Sequence, residues 1–442
     1  MKKGKSITLL SIIGVIMALL IFITFARFPV GINNFNSVLG AIETDYDISG
    51  GTAYTVKLAD DNVENVEDIN QVISTVSERL EALGYSTYSV KALRPETGDS
   101  DNYDLRIEAS PSINKYGEPD YTTLDADVAT ATEYGELQFF GNTEVDPTNE
   151  HEILEGVKVI KSAKYQMISG DHVVEITFTD EAYETIKENM GDAQYYLKIT
   201  LGGEALAPFD GSTNSAISST SFAKSLYLTS ADEASARQMV LKITSGGLAY
   251  KYDAPVRIEN VTSPYGANVE LACALAVAIV FVLSLVALVL FFKGFGIVSA
   301  LSMTLFMLIE VAMLIAVPGI KLNLGGVVGI IFATVLALDG FIITAKRIKE
   351  ESKLGKTVKA SVKNGFRRSL VPIINTGVIS AIVSLLLFSF TKGFVNNFAI
   401  TFGIGVVLSL ISTLLFARMF TTLLLSVVKN KETFLGVNKV EE

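Results

Sequence analysis

Two carboxylates stand where the chain is otherwise apolar. Asp339 falls in "LALDGFIITAKRIKEE" (336–351) and Glu310 in "FMLIEVAML" (306–314). An ionised carboxylate in hydrocarbon costs on the order of 3 kcal/mol, so such a residue faces other helices or a wet cavity. A carboxyl that can be neutral or charged, and is reached from each side of a membrane in turn, is a proton switch. Two plainer readings of Asp339 stand beside that one. It can be a hydrogen-bonded packing residue, or it can stay wet at the inner interface, because Lys346 follows only seven residues later. For Glu310 the alternatives are a second relay carboxylate and a local pairing.

Other chemistries are poorly supplied. The one cysteine, Cys273, excludes an intramolecular disulfide and lies in an apolar run. His151 and His172 are isolated, no Cys/His spacing suits a metal, and no GxxxxGK[ST] loop is present. No cofactor is expected, and a Ser-rich loop with two scattered histidines is not a hydrolase triad.

The elements that must position the carboxylates are membrane spans. Mean hydropathy is +0.41 over 442 residues, too oily for a soluble protein of this size and too charged for one wholly in the membrane. Six windows approach the roughly 20 apolar residues that a bilayer core requires: 7–26, 269–292, 296–317, 323–345, 371–390 and 398–420. "MKKGK" precedes the first, as it would a secretory signal, but the apolar run is long for a signal core and no A-x-A site follows. An uncleaved anchor is expected. Lys2, Lys3 and Lys5 place the N-terminus inside. Six-span parity then puts residues 28–268 outside and the 346–370 loop inside, where nine Lys/Arg stand against two Glu. It also puts Lys429, Lys431 and a short tail (429–442) inside. The basic loop serves topology alone, or it also meets a partner or anionic lipid.

The outer region carries 39 Asp/Glu and 16 Lys/Arg, a net charge of −23. Solubility is the plain explanation, and such a surface does not seek nucleic acid or anionic lipid. Strand patterns ("GTAYTVKL", "YDLRIEAS", "HVVEITFT", "QYYLKITL", "APVRIENVT") alternate with helical ones (66–84, a segment opened by Asp180, and 230–247). Ser230 and Glu233 have capping-box spacing. Repeated strand–helix–strand order predicts two small α+β units of ferredoxin-like type. A base is expected over 35–110 plus 228–265, with an inserted head over 111–227 and a five-span bundle over 269–428.

Six segments, in order, resemble the SecD family of the bacterial protein-export machinery, within the resistance–nodulation–division (RND) superfamily. "YDISGGTAYTVKL", with Asp47, Gly50 and Gly51, resembles the family's D-L-x-G-G strand. "VISTVSERLEALGY" is similar to its R-x-D-x-L-G helix, and "ADEASARQMVLKITSGGLAY" to its segment before the second span. "LNLGGVVGIIFATVLALDGFIITAKRIKEE" resembles its fourth span, with Asp339 at the key carboxylate. "KNGFRRSLVPIINTG" and "FTKGFVNNFAITFGIG" resemble the openings of its fifth and sixth spans. The match departs where the family's D-A-N reads Asp339-Gly340-Phe341, and where its D-x-N-x-T-T reads Asn375, Gly377, Ile379 and Ser380. The resemblance implies half of an RND-type bundle, paired with a SecF-like membrane subunit. It implies work with the Sec channel (SecYEG), and with YidC, on unfolded exported polypeptide, driven by the proton-motive force. An RND-type exporter half for lipids or drugs, and a membrane chaperone scaffold without ion coupling, remain open beside it.

Helix geometry adds one expectation. Gly325, Gly329, Ala333 and Ala337 recur every four residues, a small-residue stripe that permits close helix contact. At about 100° per residue, Asp339 lies about 160° from Ala337 and shares a line with Val328, Val335, Leu336 and Lys346. The fourth span is therefore expected to pack on two sides, one of them against a second bundle.

Overall fold

The computed structural model describes residues 3–30, 33–35, 37–59, 69–93, 103–113, 118–134, 137–142, 151–152, 160–190, 195–201, 204–205, 215–217, 223–245, 248, 250–317 and 320–435. The start of the helix expected from 66, and most of the Ser/Thr/Asn-rich stretch 211–221, lie outside the described residues. In chain order the first elements are α1 (Lys3–Phe25), α2 (Tyr46–Ser49), β1 (Gly51–Val56), α3 (Ile69–Ala82), β2 (Tyr88–Leu93) and β3 (Asp104–Ala109). There follow α4 (Tyr121–Thr132), β4 (Leu137–Asn142), β5 (Ile160–Ile168), β6 (Asp171–Phe178), α5 (Asp180–Met190) and β7 (Tyr195–Leu201). Next come β8 (Ser225–Ser230), α6 (Glu233–Ser245), β9 (Val256–Val261), α7 (Val269–Ala316), α8 (Leu324–Lys353) and α9 (Val358–Phe390). The chain's last long helix is α10 (Gly393–Ile411), which runs through a π-helical turn (Ser412–Phe416) into α11 (Ala417–Val427).

Two units divide the chain: Met1–Gly51 with Ser112–Pro119 and Val261–Glu442, and Thr52–Pro111 with Asp120–Asn260. The second unit contains an antiparallel sheet in the order β9-β1-β3-β2, with Tyr54 opposite Ile107 and Val90 on the other side of Ile107. Alternate strand residues Tyr54, Val56, Leu105 and Ile107 point into a core completed by Val72, Val76 and Leu80 of α3, spaced one helical turn apart. Gly84, at φ +99°, ends that helix as the sequence predicts, and Tyr85 N–H bonds back to Leu80 O at 3.0 Å. Arg79 is wholly buried there. Its guanidinium donates to Ser245 Oγ (3.0 Å), Glu133 O (2.7 Å) and Ala131 O (3.3 Å), tying α3 to the ends of α4 and α6. Burial lowers its pKa to about 10.

A second core in the same unit lies over the sheet β5-β6-β8, where Val174, Ile176 and Phe178 alternate with Glu175 and Thr177. Ala182 and Ile186 of α5 and Ala236 and Ile243 of α6 cover it, and Phe139 of β4 meets Phe178 edge-on at 5.6 Å. α4, within the expected head range 111–227, contributes Leu124, Val128 and Ala131 to the first core instead. α6, within the expected base range, contributes to the second. Asp232, rather than Ser230, caps α6, accepting from Ser235 N–H at 2.7 Å. The Thr179 hydroxyl accepts from Ala182 N–H at the start of α5.

Among the described residues of the first unit, five helices are long and apolar enough to cross a membrane: α1, α7, α8, α9 and the run from α10 through α11. α7 counts 48 residues, about 72 Å if straight at 1.5 Å per residue and more than twice a hydrocarbon core. It is not straight. Lys293 takes φ 49°, ψ −126°, and the sequence windows 269–292 and 296–317 fall on the two sides of that break. The helix returns so tightly that a Cβ on Gly296 would overlap the Leu288 carbonyl. Lys349 Nζ donates to Phe291 O at 3.1 Å and lies 5.0 Å over the Phe292 ring, so it satisfies a carbonyl beside the break.

Candidate functional site

The site is organised around α8. Asn323 caps it, its Oδ1 accepting from Gly326 N–H at 2.9 Å. The next helical donor, Leu324 N–H, is taken by Asp47 Oδ2 at 2.8 Å. The chain around Asp47 is laced to the residue before the cap: Asp45 N–H donates to Leu322 O (2.9 Å) and Leu322 N–H to Glu43 O (2.7 Å). Ser263 Oγ donates to Asp47 O at 2.6 Å. Asp47 is buried, and that burial pushes its carboxyl up to about 6, opposed by the Leu324 hydrogen bond and reinforced by the charge of Asp45. Gly50 has φ +77°, and a Cβ there would overlap Val261 O. Gly51 is the first residue of β1. The Asp47–Gly50–Gly51 motif is thus a joint at the start of α8.

The small-residue stripe of α8 faces α10. A Cβ on Gly325 would overlap Phe394 O, and one on Gly329 would overlap the Thr401 hydroxyl. A Cβ on Gly340 would stand 2.7 Å from Thr413 Cγ2. Ala333 and Ala337 are wholly buried. Glu310 sits where α7, α8 and α10 meet. Its Oε1 lies 2.6 Å from where a Cβ on Gly405 would stand, and that Cβ would also overlap Ala333. Glu310 is 1% exposed, and among the described residues neither carboxylate oxygen has a hydrogen-bond partner.

Asp339 lies elsewhere on α8. It is exposed together with Val328, Phe332, Val335 and Lys346, on a face that the chain's own helices leave uncovered. It lines a shallow, mostly apolar cleft in which Leu336, Ile343, Ile373 and Leu410 stand with Thr376, Ser409 and Thr413. The three hydroxyls there donate to carbonyls of their own helices: Thr376 to Pro372 O (3.0 Å), Ser409 to Val406 O (2.8 Å) and Thr413 to Ser409 O (2.8 Å). Their protons are committed, so what they offer the cleft is acceptor lone pairs. Asn375 is exposed but does not line the cleft, and its neighbour Thr376 does. Thr413 belongs to the π-helical turn, whose first residue, Ser412, donates to Ser302 O of α7 at 2.9 Å. Such turns inside α-helices are frequent at functional sites.

At the positions matched to the family, Gly340, Phe341, Gly377 and Ile379 supply Asp339 with no polar group. The structure supplies hydroxyls from other positions. Ser409, Ser412 and Thr413, three and four residues apart in an apolar span, are the signal that could have found them. A carboxylate on an uncovered helix face, in a cleft shared with three hydroxyl residues, is placed to meet a small cation.

Comparison with known proteins agrees with this architecture. Residues 249–427 match the family model described as "Protein export membrane protein SecD/SecF, C-terminal". "Protein translocase subunit SecD" of Acidaminococcus fermentans is 23% identical over 406 residues, covering 90% of this chain and 87% of the relative. SecD of Escherichia coli (strain K12) is 28% identical over 170 residues, 38% of this chain and 27% of that protein's length. The crystal structure of SecDF in its super-membrane-facing form shares the fold, with a TM-score of 0.72 at 18% identity, over 95% of this chain and 57% of that one. The chain therefore spans little more than half of the SecDF chain and matches about a quarter of the length of the E. coli relative. The chain is similar to SecD over most of its length, as its motifs imply.

Proposed function

We propose that this chain acts as a SecD-type accessory subunit of the Sec translocase, using the proton-motive force to help move exported polypeptide on the outer side of the membrane. The observation that carries the reading is the position of Asp339, a carboxylate in a cleft shared with three hydroxyl residues on the uncovered face of α8, within the segment that matches the SecD/SecF model. In this reading a SecF-like membrane subunit covers that face. The closed interface removes the carboxylate from lipid and gives cations access from one side at a time. Each charge crossing 100 mV supplies about 2.3 kcal/mol, enough to bias a two-state movement of the outer region. The Sec channel (SecYEG) and YidC are the proposed neighbours, and the working load is unfolded polypeptide.

The bent α7 supports six spans rather than five, and the basic clusters support an inside position for both termini. The strand order β9-β1-β3-β2, with β3 antiparallel to both its neighbours, supports a ferredoxin-like unit outside. The test is force-dependent export of a reporter preprotein from vesicles holding equal amounts of each variant. Asp339→Asn keeps the size and much of the hydrogen bonding while removing the titratable charge. It is expected to insert normally and to reduce export to the rate seen without a proton-motive force. Export by Asp339→Asn that still rises with the force, to the wild-type extent, would sink the reading.

A further inference from the structure

A second recess lies between α9 and the π-helical turn leading into α11. It is an open groove of about 230 Å³, lined by Lys363, Phe366, Arg367, Leu370, Leu414 and Arg418. Lys363, Arg367 and Leu370 share one face of α9 by i, i+4, i+7 spacing, and Leu414 and Arg418 are one turn apart on the facing helix. The three cations are exposed, and no carboxylate pairs with them among the described residues. Their neighbours differ. Lys356 and Arg368 both pair with the buried Glu351 (2.5 and 2.7 Å), and Arg347 pairs with Glu350 (2.7 Å). The sequence reading treats the 346–370 loop as one class, but the structure separates charges with a structural partner from Lys363 and Arg367, which converge with Arg418 on the groove.

The groove is graded along the helix axes. α9 runs away from the basic loop and α11 runs back toward its end of the bundle. Lys363, Arg367 and Arg418 therefore line the outer end of the groove, and Leu370 and Leu414 lie one turn deeper. Phe366, 4% exposed, forms part of its wall. We propose that this groove binds an anionic phospholipid, the phosphate held by Lys363, Arg367 and Arg418 and an acyl chain running over Leu370 and Leu414. Arginines hold phosphate through paired N–H donors. Basic pockets between membrane helices suit anionic headgroups, each cation contributing on the order of 1 kcal/mol. An acidic protein segment would satisfy the cations but leave the two leucines without an apolar partner. The inference rests on α9 and α11 crossing a membrane, as in the proposed function, and is independent of ion coupling at Asp339.

The test is native mass spectrometry of the detergent-purified chain titrated with phosphatidylglycerol, with phosphatidylcholine, and with inorganic phosphate as competitor. The groove variant is Lys363→Gln, Arg367→Gln, Arg418→Gln. The control is Lys346→Gln, Lys353→Gln, Lys431→Gln, which removes the same charge outside the groove. Wild type and control are expected to retain phosphatidylglycerol in preference to phosphatidylcholine. The groove variant is expected to bind it roughly 100-fold more weakly, about 3 kcal/mol. Equal retention of phosphatidylcholine, full displacement by inorganic phosphate, or equal losses in the two variants would each overturn the proposal. Membrane fractionation of every variant separates this outcome from failure of the spanning reading itself, in which wild type would not stay in the membrane either.

Discussion

The α8–α10 contact admits a quantitative test at Gly329. A Cβ there would overlap Thr401 Oγ1 and stand 2.9 Å from Phe398 O and 3.0 Å from Phe402 N, both backbone atoms that cannot swing aside. The Thr401 side chain can move, but it is already committed. Its hydroxyl is 3.1 Å from Gly326 O and 3.0 Å from Asn397 O, so moving it removes a buried hydrogen bond. Leaving a buried polar group unpaired costs about 1–3 kcal/mol, and overpacking a tight contact about 1–3 kcal/mol. The better helix propensity of alanine returns about 1 kcal/mol. Gly329→Ala should therefore destabilise the bundle by about 2–4 kcal/mol.

The assay is equilibrium unfolding in mixed detergent micelles, read by far-ultraviolet circular dichroism. Thr401→Ala added to Gly329→Ala removes the first obstacle and leaves the two backbone contacts, so the double variant should recover part of the loss, with a favourable coupling of about 1 kcal/mol or more. Gly325→Ala meets the Phe394 carbonyl instead and should be rescued by no side-chain change. Gly14→Ala in α1, which meets nothing within 4 Å, is the control and should move stability by less than about 0.5 kcal/mol. Wild-type stability in Gly329→Ala, or a double variant no better than the single, would refute the reasoning.

Two further predictions concern carboxylates. The folded pKa of Asp47, about 6, lies above its ordinary 3.8. Its contribution to stability is therefore fully present below about 3.8 and lost as pH rises through about 6, a change of at most about 3 kcal/mol. Unfolding of wild type compared with Asp47→Asn across pH 4 to 7 should show the wild type losing ground to the variant as pH rises; a constant difference, or one of opposite sign, counts against it. Glu310→Met fills the same space without an unpaired acid, so the variant should unfold no more easily than wild type and gain up to about 2 kcal/mol. A clear loss of stability would mean that Glu310 has a partner in the folded protein.

What can be read from the sequence follows from periodicity. The small residues of α8 and the line through Asp339 are about 160° apart by counting alone, and they are the buried and uncovered faces in the structure. The break at Lys293 is also legible in outline, because a 48-residue apolar helix is too long for one crossing. Its position is legible as well, since the windows 269–292 and 296–317 leave only 293–295 between them; what the sequence does not announce is that Lys293, no glycine, takes the positive φ. Nothing in "STLLF" announces a π-helical turn, since that geometry depends on how α10 meets α7 and α8. Long-range partners are equally silent. Arg79 reads as an ordinary charged residue near the end of an amphipathic helix until carbonyls 52 and 54 residues away close on it. The expected division of residues 28–268 into base and head follows sequence order, whereas α4 and α6 pack by apolar surface.

The two carboxylates that open the sequence reading lie on different sides of α8 in the structure. Glu310 lies against the bundle-facing side of α8 near Ala333, and Asp339 projects from the uncovered side. Six residues separate Ala333 from Asp339, a rise of about 9 Å and a turn of about 240° around the helix. The body of α8 lies between the two carboxyls, with the buried Thr334 hydroxyl donating to its own helix at Ile330 O (2.8 Å) rather than bridging. A proton on Glu310 therefore has no path to Asp339 along the described hydrogen bonds. Asp339 instead shares its cleft with Thr376, Ser409 and Thr413, which reach it from α9, α10 and the π-helical turn. Any rearrangement that alters the fit of α9 and α10 against α8 changes the surroundings of that carboxylate directly. The same rearrangement reaches Glu310 by opening the Gly405–Ala333 contact. In the proposed function, coupling therefore falls on the cleft at Asp339, while Glu310 lies at the α8–α10 seam.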